Sequence, residues 1–186
     1  RSIMDEFLQK FVARTEELVV GDPFDANTNI GAVIGKEHYE KVMRYIEIAR
    51  EEGGTILTGG KRPAHMEKGY FIEPTIIVGL DETSRCVKEE IFGPVVTVLP
   101  FDSEQEVIGY ANDTTYGLGA TIWTNDLRRA HRVAGQIESG IVWVNTWYLR
   151  DLRTPFGGMK QSGIGREGGA HSFEFYCEQS NITIKL

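Results

Sequence analysis

The residues with the clearest chemical potential are Glu89-Glu90-Ile91-Phe92-Gly93-Pro94. Two acids run directly into an aromatic ring and a Gly-Pro turn, and Pro94 biases its predecessor toward extended backbone, so the run suits neither helix nor strand. It reads in two ways. One is an exposed acidic loop entering a strand at Val95. The other is a carboxylate and a ring presented to a ribose and a planar base, the carboxylate accepting hydroxyl hydrogens and the ring excluding water. A second candidate is Trp147 to Thr154, where Arg150 and Arg153 flank Asp151. Their forked donors could grip a carboxylate. Equally, Asp151 could pair with one arginine and leave both serving the loop.

Other patterns carry less. Gly163-Ile164-Gly165-Arg166-Glu167-Gly168 matches GxGxxG by letter. A dinucleotide fingerprint needs a buried strand before it and an acidic residue well beyond it. Here the preceding Pro155–Ser162 is polar and Gly-rich, so a tight irregular loop is expected. His38, His65, His131 and His171 share no metal-ligand spacing, and no GxSxG elbow supports a serine nucleophile. Cys86 and Cys177 form no CxxC pair, which suits a reducing, cytoplasmic setting, and both are expected as buried or partly buried thiols.

The elements that must position these residues follow from periodicity. Ile3, Phe7, Leu8, Phe11 and Val12 predict an amphipathic helix to about Glu17, and Val19–Ile30 reads as a turn-rich loop. Tyr39, Val42, Met43, Ile46 and Ala49 predict a second helix, stopped by Gly53-Gly54. Strands are expected at Thr55–Thr58, Phe71–Val78, Val95–Leu99, Ala120–Trp123, Ile141–Val144 and Ile182–Leu186. Ser103 and Glu106 form a capping box opening a helix to about Asn112. Asn125 or Asp126 caps another, with Leu127, Ala130, Val133, Ala134 and Ile137 inward. Strand–helix alternation from Val95 to Val144 predicts one α/β domain with a largely parallel sheet and crossover helices.

At 186 residues, with 41% hydrophobic and 25% charged residues, the chain has an ordinary globular composition. Its formal charge of -7 argues against a nucleic-acid partner, which would want a basic face. No apolar run approaches the roughly 18 residues of a membrane span. The chain starts at Arg1, directly before a helix, which reads as a piece of a longer protein.

Gly69-Tyr70-Phe71-Ile72-Glu73-Pro74-Thr75, Lys88–Pro94, Asn112–Leu118, Gly140–Asn145, Pro155–Lys160 and Ser162–Glu167 are each weak signals alone. In this order, and across Arg1 to Leu186, they resemble the C-terminal catalytic portion of the aldehyde dehydrogenase superfamily. That resemblance implies a dehydrogenase-like catalytic domain over residues 1–178 and an oligomerisation strand over 179–186, giving a homo-oligomer. It implies an aldehyde as the small-molecule substrate and NAD as cofactor. NADP stays open, since residues reading the 2′ position would lie upstream. Glu90 would bond the nicotinamide ribose hydroxyls and Phe92 would pack beside them. Asn145 would begin the substrate-channel loop, lined by Tyr148, Arg150 and Phe156. No catalytic residue falls in this chain: the nucleophilic cysteine and general-base glutamate would precede Arg1, leaving the chain inactive alone. A free-standing non-catalytic assembly module and a dehydrogenase of plain aldehydes are the competing expectations.

Gly140 to Gly169 further resembles the branch acting on hydroxymuconic and aminomuconic semialdehydes of aromatic-ring catabolism. These substrates carry a carboxylate, which would make Arg150 its anchor, with Arg153 second.

Overall fold

The computed structural model describes residues 1–186, which divide into two compact units, Arg1–Asp102 and Ser103–Leu186. In the first, α1 (Met4–Glu16) and α2 (Lys36–Glu51) precede β1 (Thr55–Thr58) and β2 (Thr75–Val78). A short α3 (Arg85–Lys88) and β3 (Val95–Val98) follow. The sheet order is β1-β2-β3, with β1 antiparallel and β3 parallel to β2.

β2 is central, and Thr75, Ile76 and Ile77 are all buried, as an unbroken β-branched run requires when both faces are covered. It begins at Thr75 rather than Phe71. Pro74 has no N–H to donate to a ladder, so the buried Phe71 and Ile72 pack without pairing. Val42, Ile46 and Ala49 of α2 are fully buried with Ile77, Ile72, Leu80, Cys86 and Ile91, forming the core. The α2 terminus is a Schellman motif. Gly53, at φ 88°, donates to the Arg50 carbonyl, and Gly54 donates to that of Ala49. α1 instead leaves Ile3 and Phe7 exposed, and only Thr15 is buried along it.

The second unit holds α4 (Glu104–Asn112), β4 (Tyr116–Gly117), β5 (Gly119–Ile122), α5 (Leu127–Ala134), β6 (Ile141–Val144), β7 (Met159–Lys160) and α6 (Gly169–Tyr176). Ser103 and Glu106 close the expected capping box on α4. Asp126 caps α5, its Oδ1 accepting from the N–H groups of Arg128 and Arg129. β5 and β6 are parallel and joined across α5, while β4 pairs antiparallel with β7. Crossovers therefore occur as expected, but the strands form three small sheets rather than one. β3 pairs with β2, not with β5, and that long-range choice leaves no local trace.

Three smaller expectations also change. Leu127 is exposed: as the first helical residue, its side chain leans back beyond the helix start. Cys177 is exposed too. Residues 177–186 form no strand in this chain, and Ile182, Ile184 and Leu186 are exposed. A strand exists only against a partner edge, and none within the chain takes this segment. No helix is long and apolar enough to cross a membrane.

Candidate functional site

The candidate residues fall into two groups, Glu90 and Phe92 in the first unit and Tyr148, Arg150, Arg153 and Phe156 in the second.

Ser84 caps α3, accepting from the Cys86 N–H, and the chain leaves the helix at Glu89 in extended conformation. The two adjacent acids then separate completely. Glu89, though exposed, is tied down: it takes a bidentate pair from Arg85, at 2.8 and 3.0 Å, together with the Tyr45 hydroxyl. Arg85 first, then Tyr45, hold the Glu89 carboxyl at about 2, against an ordinary value of 4.5. Glu90 is exposed, and its carboxylate has neither a hydrogen bond nor an ion pair. Phe92 follows at φ 57° and is 72% exposed as a residue. A non-glycine residue in that region costs of order 1–3 kcal/mol and persists only where its surroundings hold it. Here the Phe92 carbonyl accepts from His38 Nε2 at 2.5 Å, and the Glu90 carbonyl accepts from Lys41 Nζ at 2.8 Å. The backbone is tied down while both side chains face outward. A cavity of about 660 Å³ between Thr15, Val20, Thr58 and His65 includes none of residues 88–94.

The depressed Glu89 pKa has a measurable consequence. Its stabilisation is complete above the ordinary carboxylate range and is lost as pH falls from about 4.5 toward 2. Glu89→Gln should therefore lower the denaturation midpoint most near neutrality, and the two curves should converge toward pH 2. A gap that stays constant across that range would exclude this linkage. The effect is modest because the carboxylate is partly solvated.

In the second unit, Asn145 sits at φ 54° just past β6, its amide bonding both the N–H and the C=O of Thr124 at 2.8 Å. Its role in the fold is thus to join the ends of β5 and β6. The loop then folds back on Trp143, whose Nε1 donates to the Leu149 carbonyl at 2.8 Å. Trp147 lies 5.1 Å from Trp143, and Tyr148, at φ 58°, stacks against both with its ring exposed.

Arg150 and Phe156 come together. The guanidinium lies 4.2 Å from the Phe156 ring centroid, and Nη2 is 2.7 Å from Glu167 Oε1. Phe156 and Glu167 are themselves bridged by paired backbone hydrogen bonds of 2.8 Å, so the two residues that hold Arg150 are joined through the main chain. Arg150 Nε is buried with no hydrogen-bond partner. Arg153 is not brought to this group. Its exposed guanidinium pairs with both oxygens of Asp151, which lowers the Asp151 pKa.

The GxGxxG run has no strand before it beyond the two residues of β7. Its glycines serve close packing instead: a Cβ on Gly165 would meet the Phe175 ring at 2.1 Å, and one on Gly168 the Thr154 carbonyl at 2.3 Å. A cavity of about 280 Å³ lies there, bordered by Phe156, Glu167 and Tyr176. Its neighbours include two of the groups that hold Arg150. No cluster of His, Cys, Asp or Glu could hold a metal ion.

Glu167 as the partner of Arg150, and His38, Lys41 and Tyr45 as holders of the acidic loop, were not foreseen. His38, Lys41 and Tyr45 do lie at helical spacing beside the apolar stripe of α2, which is the signal available in the sequence.

Comparison with known proteins accords with these features. The profile of the aldehyde dehydrogenase family matches residues 1–182. The chain is 54% identical to a 2-hydroxymuconic semialdehyde dehydrogenase of Pseudomonas sp. (strain CF600), covering 100% of this chain and 39% of that protein. It is 49% identical to human 2-aminomuconic semialdehyde dehydrogenase, again covering 39% of that protein. Among solved structures, betaine aldehyde dehydrogenase from Staphylococcus aureus in complex with NAD+ superposes with a TM-score of 0.91 at 45% identity, over 95% of this chain and 35% of that one. The chain thus spans about two fifths of the length of the curated relatives it matches. In its motifs, its fold and its sequence, this chain belongs to the aldehyde dehydrogenase family.

Proposed function

We propose that the chain works as the C-terminal part of an NAD-dependent dehydrogenase that oxidises a carboxylated semialdehyde to the acid. The observation that carries the cofactor assignment is the loop at Glu90 and Phe92, with its backbone fixed and a free carboxylate and ring exposed. Two hydroxyls of a ribose need unpaired carboxylate oxygens, and Glu90 offers them while Glu89 does not. NAD, when bound, supplies the acceptor for the aldehyde hydride. The chain's own residues bind and orient it: Glu90 takes the ribose, and Phe92 shields one side from water.

The carboxylated substrate rests on Arg150. Its aromatic and acidic supports keep the guanidinium in place, and the orphaned Nε is a donor that a carboxylate would satisfy, with a small shift of the side chain. Tyr148 and Phe156 supply the apolar walls. Arg153 is second, because a substrate would first have to displace Asp151, although such an exposed pair is worth only about 0–1 kcal/mol.

The thiol nucleophile that would form the thiohemiacetal, and the general base, are assigned to residues outside this chain, which is then inactive alone. Cys86 is unsuited to the task. Its Sγ is buried against the Tyr45 carbonyl, and burial raises the thiol pKa and suppresses the thiolate. Residues 179–186 are assigned to subunit contact in a homo-oligomer, supported by the exposed alternation of Ile182, Ile184 and Leu186, which would line one side of an added strand.

Calorimetric titration of the full-length protein with NAD+ tests the cofactor reading. Glu90→Gln should weaken binding about tenfold, the loss of a charge-assisted hydrogen bond. Unchanged affinity would remove Glu90 from the site.

A further inference from the structure

His38, Lys41, Val42 and Tyr45 occupy successive turns of α2 on a single face, and all four meet the acidic loop. The His38 ring donates to the Phe92 carbonyl and lies 5.9 Å from the Phe92 ring. Lys41 donates to the Glu90 carbonyl, and Tyr45 holds the Glu89 carboxylate. Between them the fully buried Val42 sits under Gly93, where an added Cβ would lie 2.6 Å from its Cγ2. We propose that these four α2 residues are positioning residues for the dinucleotide, holding 89–93 so that the Glu90 carboxylate and the Phe92 ring stay turned outward. This rests on the assignment of Glu90 and Phe92 to the cofactor.

The choice of contacts carries the inference. Lys41 and His38 bind carbonyls at 90 and 92, alternate positions, and neither touches the Glu90 carboxylate. A lysine this near a glutamate would more simply pair with it. Instead its charge is spent on the main chain, and the glutamate is left for something else. Tyr45 and Arg85 meanwhile engage the neighbouring Glu89, which keeps it from competing for the same space. His38 presents an N–H at Nε2 in its charged form and in one neutral tautomer, so its hydrogen bond can survive loss of the ring proton.

A loop held in its binding form binds at full strength, whereas a freed loop binds in proportion to the fraction still correctly shaped. NAD+ titration of the full-length protein, followed by calorimetry and by protein fluorescence, reads that fraction directly. Lys41→Met and His38→Ala should each weaken NAD+ about five- to tenfold. Lys41→Arg should stay within about twofold of the parent, and Arg44→Ala, exposed on the same helix, should not differ. The kcat at saturating NAD+ and the KM for the aldehyde should not move, nor should the unfolding temperature by more than a few degrees. Glu90→Gln and Phe92→Ala serve as benchmarks. If they weaken NAD+ while Lys41→Met and His38→Ala bind as the parent does, the positioning role is overturned and the cofactor assignment stands. If the benchmarks also bind normally, the cofactor assignment itself falls, and the positioning role with it. Equal losses in Lys41→Met and Lys41→Arg would overturn the specific role of the Lys41 hydrogen bond.

Discussion

Replacing Arg150 by alanine in the full-length protein is expected to lower kcat/KM for a carboxylated semialdehyde about a hundredfold, and for an uncharged aldehyde about threefold or less. The larger figure corresponds to about 2.7 kcal/mol, within the range for truncating one partner of a desolvated charge pair. The smaller figure reflects the surroundings. Glu167 is half-exposed, so water can take over the hydrogen bond that Arg150 leaves, and the bridge between Phe156 and Glu167 is made by backbone. Arg150→Lys should fall between, keeping the charge but losing the planar fork and the stack on Phe156. Steady-state kinetics with a matched pair of aldehydes decides it. Equal losses on both would reduce Arg150 to a brace for its loop.

The second large effect concerns stability. Gly140 has no need of a left-handed backbone, yet a Cβ there would stand 1.6 Å from the Gly157 carbonyl oxygen and 2.7 Å from its carbon. Those atoms are main chain and cannot rotate aside, so either the turn into β6 or the 155–158 segment must move. Gly140→Ala should cost about 3 kcal/mol or more, at the upper end of overpacking changes. Because Phe156 adjoins the displaced segment, substrate affinity should fall as well. Gly109, inside α4, is the useful contrast. Nothing lies within 4 Å of its would-be Cβ, and Gly109→Ala should stabilise by about 0.5–1 kcal/mol. Urea denaturation of both variants tests the pair. A mild loss at Gly140 would mean that the close approach relaxes at little cost.

What was legible in the sequence was the chemistry that acts over a few residues. The Ser103 box, the Asp126 cap and the Gly53-Gly54 stop all appear where spacing predicts, because each is closed by groups within four or five residues of one another. The partition into three sheets was not legible, since whether β3 pairs with β2 or β5 depends on long-range contacts. The candidate site divides in the same way. Glu89-Glu90 reads as two like acids, and nothing local says which one is tied. That is settled by Arg85 one turn back and by Tyr45, 44 residues away. Arg153 resolves toward the blander of its two readings, because Asp151 is near enough to take it. Arg150 escapes Asp151 only because Glu167 is brought to it from beyond the turn.

The grip of α2 on carbonyl oxygens also bears on how such a loop can change. A carbonyl is common to every amino acid, so the hydrogen bonds from His38 and Lys41 would survive almost any replacement at 90 or 92. Shape and chemistry are thereby inherited separately. The helix specifies the course of the chain, and the two outward side chains can be exchanged without redrawing it. Retuning this surface toward a different ligand would need single substitutions rather than a rebuilt loop. Position 92, with its left-handed backbone, should accept asparagine or glycine most readily and β-branched residues least.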